Sequence, residues 1–332
     1  MSEKAACSTL SSSILSPTNC HRHGIYILGL EKDTVLYLAY GSNLAYETFQ
    51  GSRGIKPLAQ VNVLVPELRM TFDLPGIPYV EPCFANTALR ATPEAQDENQ
   101  GFLEKSNVPG KEDYHKDRWK KGLVGVVYEV TPSDYAHIIA TEGGGAAYKD
   151  ILVTCFPLEA GSSTVPEQPI TAPFKAHTLF APQTTPPESG NLRVGNRLTR
   201  PDPSYAQASA RYLKLITDGG REHAFPAEYL EYLDDIRPYT ITTRRQRIGE
   251  YAFLMLWGPF LLFMFALMER FQDKKTGKIP TWLASLQGAI FGAVWKSYDG
   301  YFKRMFGDGE RTIGDEAFEG RSQAGRTGEA RV

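Results

Sequence analysis

Tyr251 to Met268 reads YAFLMLWGPFLLFMFALM, eighteen residues without one charged side chain. A run of this kind has to leave water, and few destinations are open to it. Crossing a bilayer takes roughly 17–25 apolar residues, so the run reaches the short end of that range. Arg244, Arg245 and Arg247 precede it, and Glu269, Arg270, Lys274 and Lys275 follow. Gly258-Pro259 predicts a kink, which membrane helices tolerate. The expectation is a transmembrane helix; the alternative is a helix buried in the globule or against a partner. Basic residues on both flanks leave the topology open. Leu283 to Trp295 is a second apolar stretch, interrupted by Gln287. It is too short to span and suited to an interface, with Trp282, Trp295 and Lys296 at its rim.

The remainder of the 332 residues is ordinary by comparison. Hydrophobic residues make up 42% and charged residues 22%, which rules out wholesale disorder. Lys plus Arg number 36 against 38 for Asp plus Glu, a net charge of −2. That balance provides no field for gathering nucleic acid. Cys7, Cys20, Cys83 and Cys155 form no CxxC pair and no metal-ligand spacing with the histidines. They read as reduced, intracellular thiols, and no metal is expected. Residues 1–33 are Ser-rich, broken by Pro17 and lack the apolar core of a signal peptide, so they read as a flexible leader. Residues 34–240 form the folded domain, 241–306 an apolar, membrane-attaching helical region, and 307–332 a Gly-, Glu- and Arg-rich disordered tail.

Within the domain, Thr34 to Tyr40 is β-branched and aromatic and stops at Gly41, a buried strand. Further strands are expected at Gln60–Val65, Leu68–Asp73, Ala85–Leu89, Leu123–Val130, Lys149–Pro157 and Phe174–Phe180, with a turn at Leu74–Pro78. Arg90 to Gly122 reads as a polar surface excursion. Thr131-Pro132-Ser133-Asp134 has a cap hydroxyl, proline at the first helical position and a carboxylate three on, which predicts a helix to about Thr141. Ala206–Thr217 and Pro226–Ile236 have amphipathic spacing. Many short strands and few helices, without regular alternation, indicate an α+β class.

Two constellations carry chemistry. Tyr40-Gly41-Ser42-Asn43-Leu44 follows directly on the buried strand, and a tight Gly-Ser-Asn turn there aims backbone N–H groups into one concavity suited to a carboxylate or oxyanion. Gly-Ser-Asn is also an ordinary turn. Glu142-Gly143-Gly144-Gly145-Ala146-Ala147-Tyr148 lies between a helix and a strand. A glutamate there faces the negative end of the helix dipole, and partial dryness would act in the same sense. Both disfavour the ionised form and suit proton transfer near neutral pH. The plain alternative is a glycine C-cap beside a solvated glutamate.

In this order the segments resemble the γ-glutamylcyclotransferase family. The likeness runs from the strand-YGSNL opening through Gly125-Val126-Val127-Tyr128, Glu142-Gly143 and Tyr148. It continues in Ser209-Ala210-Arg211-Tyr212, Gly219-Gly220 and Phe225-Pro226-Ala227-Glu228-Tyr229, so it covers about Thr34 to Asp235. Arg53-Gly54-Ile55 through Pro82-Cys83-Phe84-Ala85-Asn86 looks like a fungal branch, including members attached to sulfur-containing secondary-metabolite pathways. The resemblance implies a small mixed or antiparallel barrel-like sheet with packed helices. It also implies cyclisation of γ-glutamyl peptides or glutathione-derived conjugates to 5-oxoproline with release of the amino acid or peptide. By the same carry-over Glu142 is the general acid/base, and Tyr40, Gly41, Ser42, Asn43, Leu44 and Tyr148 bind the glutamyl group. No cofactor is implied, and the partner is a small γ-glutamyl compound.

Leu179 stands where animal members carry a tyrosine, which puts substrate choice in question, and γ-glutamylamines are an alternative class. A binding module without turnover is the reading from outside enzymes. Tyr212 is expected to pack in the core. The expected location is a membrane, with the catalytic domain in the cytosol, or the cytoplasm if Tyr251–Met268 is buried.

Overall fold

The structure, a computed structural model, describes residues 34–90, 119–142, 149–159, 161–180 and 206–312. The expected leader over 1–33, most of the excursion within 90–122 and the tail from 313 onward lie outside the described residues.

The strands are β1 (Val35–Ala39), β2 (Ala59–Val65), β3 (Leu68–Ile77), β4 (Glu81–Leu89), β5 (Leu123–Val130), β6 (Lys149–Pro157) and β7 (Phe174–Phe180). β1, β5, β2, β6 and β7 close in that order into a barrel. Neighbours pair antiparallel until the parallel contact of Tyr37 with His177 completes the ring. β5 is buried along its whole length, which is why it reads as a near-continuous apolar run. A Cβ on Gly125 would stand 2.5 Å from the Ala39 carbonyl, so β1 and β5 approach this closely only over glycine. Five strands leave an interior wide enough only for side chains. Here aromatic rings occupy the core, with Phe49 stacked on Tyr128 at 4.3 Å.

The helices are α1 (Pro132–Thr141), α2 (Ala210–Glu222), α3 (Ala227–Asp234), α4 (Arg244–Phe271) and α5 (Thr281–Ser297). α1 begins as its sequence predicts, with the Thr131 side chain accepting from Asp134 N at 3.2 Å and proline at the first position. α2 starts at Ala210 rather than Ala206, because Ser209 caps it through Tyr212 N. The residues before Ser209 are spent on a pairing, Gln207 N donating to Glu310 O at 2.8 Å. The turn expected at Leu74–Pro78 is also displaced. β3 runs on to Ile77 with a register irregularity between Thr71 and Leu74, and the chain reverses around Tyr79, whose φ is +68°. A two-stranded sheet tolerates Pro75, since no third strand needs its missing N–H.

Tyr79 joins the barrel domain to the C-terminal helices. Its hydroxyl donates to Gly307 O at 2.8 Å, and its N–H donates to Gly309 O. Around it lies a second apolar cluster that includes Phe253, Leu261, Met264, Leu283, Trp295, Tyr298 and Phe302. Residues 307–312, expected to open a disordered tail, are packed instead. The Asp308 carboxylate accepts from Glu310 N and Arg311 N, and Thr312 donates from its N–H to the Gln207 side chain and from its hydroxyl to Pro238 O. Composition missed this because the partners of that short segment come from distant parts of the chain.

α4 has 28 residues, about 42 Å at 1.5 Å per residue. It opens with the Thr243–Gln246 capping box. Gln246 Nε2 donates to Asp308 O near its start, and Gln272 Nε2 donates to Ala140 O just past its end. Both ends therefore touch the same body, and α4 lies along it. Among the described residues it is the one helix long and apolar enough to cross a membrane, and 22% of its most apolar eighteen-residue window is buried, too little for a core helix.

Candidate active site

β1 delivers the chain into the Tyr40–Leu44 loop, whose residues Ser42–Leu44 form one tight helical turn. That turn uses the N–H groups of Leu44, bonded to Gly41 O at 3.0 Å, and Ala45, bonded to Ser42 O at 3.2 Å. The N–H groups of Ser42 and Asn43 stand outside this bonding, as first-turn donors do. The loop is held from below by two contacts. His223 Nε2 lies 3.0 Å from Leu44 O, and Gly219 of α2 lies so near that a Cβ there would be 2.4 Å from the Leu44 carbonyl carbon. The Leu44 side chain belongs to the core, so its part in the loop is played by its backbone. Tyr40 donates its hydroxyl to Leu179 O at 2.8 Å, which ties the loop's first residue to β7.

Glu142 is the C-cap of α1, with its N–H bonded to Ile138 O at 3.1 Å. The fold brings it to the loop. Asn43 Nδ2 donates to Glu142 Oε1 at 3.2 Å and to Tyr37 Oη at 2.8 Å. The carboxylate accepts only, which fixes the amide's orientation. Arg53 adds an ion pair through Nη2, 2.6 Å from the same Oε1, with the two side chains 12% and 21% exposed. A pair this sheltered is poorly screened by solvent. Both contacts fall on Oε1, and among the described residues no partner meets Oε2.

Three phenols surround the carboxylate. Burial and then the Glu142 charge hold the Tyr37 hydroxyl far above its ordinary titration range, and the same causes in the same order act on Tyr212. Burial, followed by the neighbouring tyrosines, does so for Tyr40. These phenols stay protonated and can act as hydrogen-bonding walls. Tyr212 does pack in the core, edge-on to Phe84, but its hydroxyl also accepts from Ala85 N at 3.1 Å and sits against Gly41.

Two polar atoms here are buried without a partner among the described residues: Arg53 Nη1 and Asn43 Oδ1. An unmade bond at a buried polar atom costs about 1–3 kcal/mol, and a native fold carries few of them.

Of the residues predicted from sequence, the structure brings Asn43 and Glu142 into contact and sets Tyr40, Gly41, Ser42 and Leu44 in the loop beside them. Tyr148 lies outside the described residues. Arg53 and Tyr37 were missed. The signal for Arg53 was a cation set between a helical stretch, Glu47–Ser52, and Gly54, whose φ is +66°. Tyr37 sits within a strand that reads as simple core.

A loop with free backbone donors at the end of β1 thus faces the glutamate that ends α1. The chain is 30% identical over 277 residues to the gamma-glutamyl cyclotransferase gliK of Aspergillus fumigatus, covering 83% of this chain and 89% of that protein. It is 30% identical over 281 residues to the gamma-glutamyl cyclotransferase aclK of Aspergillus oryzae, covering 83% and 90%. The chain belongs to the γ-glutamyl cyclotransferase family. Residues 243–305 match the AclK C-terminal domain, which corresponds to α4, α5 and the turn after them. A solved structure described as gamma-glutamyl cyclotransferase aligns with a TM-score of 0.40 at 17% identity, over 64% of this chain and 93% of that one.

Proposed function

We propose that this protein cyclises γ-glutamyl compounds to 5-oxoproline, with residues 34–240 as the catalytic domain and Glu142 as its acid/base. The observation that carries the reading is the convergence of Asn43 and Arg53 on Glu142 Oε1, with Oε2 left for substrate. In the reaction the substrate's α-amine attacks its own γ-carbonyl carbon. The α-ammonium first gives one proton to solvent. The lone pair of the neutral amine then forms the C–N bond as the carbonyl π pair moves onto oxygen, and Glu142 takes a proton from the nitrogen that has become positively charged. Collapse of the tetrahedral oxyanion breaks the bond to the leaving amine, which receives that proton back from Glu142. Nucleophile and electrophile share one molecule, so the loop's task is to hold the glutamyl chain curled. The Ser42 and Asn43 N–H groups are suited to the oxyanion. Arg53 Nη1 takes the α-carboxylate and Asn43 Oδ1 the α-ammonium, which satisfies both orphaned atoms. The donors in this reading are γ-glutamyl peptides or glutathione-derived conjugates, with γ-glutamylamines as the alternative. Production of 5-oxoproline across a panel of γ-glutamyl peptides, conjugates and amines tests it, with Glu142→Gln as the control. Turnover with none of them, or full activity in Glu142→Gln, would sink it.

A second feature bears on location. Met255, Leu262 and Phe263 on the outer face of α4 are 81%, 71% and 63% exposed. Arg270, Lys274, Lys275 and Lys278 follow at one end. An exposed apolar helix face with a basic rim suits an anionic lipid surface, with the helix lying in the plane of the interface. We place the protein on a membrane in that manner, its catalytic domain in the cytosol.

A further inference from the structure

The loop between α4 and α5 is seated on the helix that carries Glu142. Gln272 Nε2 donates to Ala140 O at 2.8 Å and also to Gly277 O at 3.2 Å. Ala140 lies in the last turn of α1, where carbonyls have no partner within the helix, so the amide supplies a cap that α1 cannot make for itself. Gly277 completes the seat. Its φ is +69°, and a Cβ there would fall 1.9 Å from Ala136 O and 2.8 Å from Ala140 N. The loop backbone thus enters the groove between two alanines one turn apart, a contact that larger residues on either side would prevent. The loop holds its own shape: Gly277 N donates to Asp273 O at 2.8 Å, Asp273 N to Lys278 O at 2.9 Å, and Lys275 N to the Asp273 carboxylate at 2.7 Å. At its other side this unit is fixed to the β3–β4 hairpin through Tyr79 and through Trp295 Nε1, which donates to Gly76 O at 3.1 Å.

We infer that the C-terminal helical unit is a positioning device for the reaction, in which the Gln272–Gly277 loop clamps the end of α1 and so fixes where Glu142 points. Glu142 is only two residues beyond Ala140, and its side chain leaves the chain where α1 stops. A shift in that last turn moves the carboxylate relative to Asn43 and the substrate loop. Gln272 touches none of the reacting groups and acts through the helix. This inference rests on the cyclotransferase reading, with Glu142 as its base.

The test uses the full chain and four variants. Gln272→Met keeps the side chain's length and removes both donors. Its kcat is expected to fall by about 10- to 100-fold, the scale of a small misplacement of a reacting group, with KM within about twofold. Gln272→Lys still reaches a terminal carbonyl with a donor and is expected to keep kcat within about threefold of wild type. Hydrogen exchange of the segment 136–142 is expected to rise in Gln272→Met and to stay near wild type in Gln272→Lys, a readout independent of turnover. Should Gln272→Met lose its cooperative melting transition, Gln272→Asn, whose amide is one methylene short, carries the same expectations. Wild-type kcat together with wild-type exchange in the donor-lacking variant overturns the clamp, as does a loss that Gln272→Lys fails to reverse. Glu142→Gln separates the two ideas: its full activity defeats the cyclotransferase reading, whereas its inactivity beside an unaffected Gln272→Met defeats the clamp alone.

Discussion

Arg53 Nη2 and Glu142 Oε1 lie 2.6 Å apart, across 89 residues of sequence. The pair joins the segment after the Tyr40–Leu44 loop to the end of α1, and it places a fixed cation on the carboxylate proposed as the acid/base. Arg53→Met is expected to lower kcat/KM by about 10²-fold, since both the orientation of Glu142 and a ligand contact are lost. Arg53→Lys should recover only part of this, because one ammonium cannot serve Glu142 and a second anion in the guanidinium's planar geometry. Steady-state kinetics on one γ-glutamyl donor decide the matter. Equal activity in Arg53→Met and wild type would remove Arg53 from the site.

Asn43 donates to Glu142 and to Tyr37. Asn43→Asp has nearly the same shape but places a second carboxylate about 3 Å from the first, where two negative charges cannot both persist. It is expected to be the worse variant, below Asn43→Ala by about tenfold or more in kcat, with the acid limb of the pH–rate profile displaced. Ranking the two variants by kcat checks the argument, and the reverse order would mean that the amide serves packing alone.

Gly219 permits α2 to lie against the loop backbone, with the position of a Cβ only 2.4–2.6 Å from Leu44 and Ala45 atoms. Gly219→Val must push the loop or the helix aside, and overpacking of this kind costs about 1–3 kcal/mol. The expectation is a lowered Tm together with reduced turnover, measured by calorimetry and by 5-oxoproline release. A variant with unchanged Tm and kcat would contradict the contact.

His223 predicts a dependence on pH. Burial pushes its imidazole below the ordinary 6.5, with the Leu44 carbonyl opposing. As pH falls through about 6.5 the unfolded chain takes up this proton and the folded chain resists it, so the unfolded state binds more protons. Stability from this group is therefore present above that pH and lost below it. Tm should decline on acidification, and His223→Gln, which bonds without titrating in this range, should show a shallower decline. Parallel slopes for the two proteins would assign the acid sensitivity to other groups.

The outer face of α4 gives the last expectation. The full chain should co-float with phosphatidylcholine vesicles containing about one phosphatidylserine in five. Met255→Glu combined with Phe263→Glu should remain with the soluble fraction at unchanged kcat. Absence of co-flotation by the unaltered protein would return that face to some other use.

The barrel strands, the Thr131 cap and the end of α1 at Glu142 were legible because each is written in neighbouring residues: apolar runs, a hydroxyl before proline, a glutamate before glycines. The β3–β4 hairpin was legible only in part, since β3 runs past the expected Asp73 to Ile77 and β4 begins at Glu81, before the expected Ala85. The YGSNL loop and Glu142 were legible as a pair through family likeness. Arg53 and Tyr37 were not, since an arginine after a helical stretch and a tyrosine in a strand have many ordinary uses. Tyr37 meets Asn43 where the chain turns after β1, and Arg53 meets Glu142 only once positions 89 residues apart fold together.

The run from Tyr251 to Met268 shows the same division. Its sequence determined a long apolar helix, because eighteen uncharged residues admit little else. Where that helix lies was decided by single contacts made far away in sequence: Gln246 with Asp308, Tyr79 with Gly307 and Gly309, Gln272 with Ala140. Periodicity carries no record of such contacts, since each depends on one donor meeting one acceptor after the chain has folded. They lay α4 along the barrel domain and seat its far end on the helix that carries Glu142.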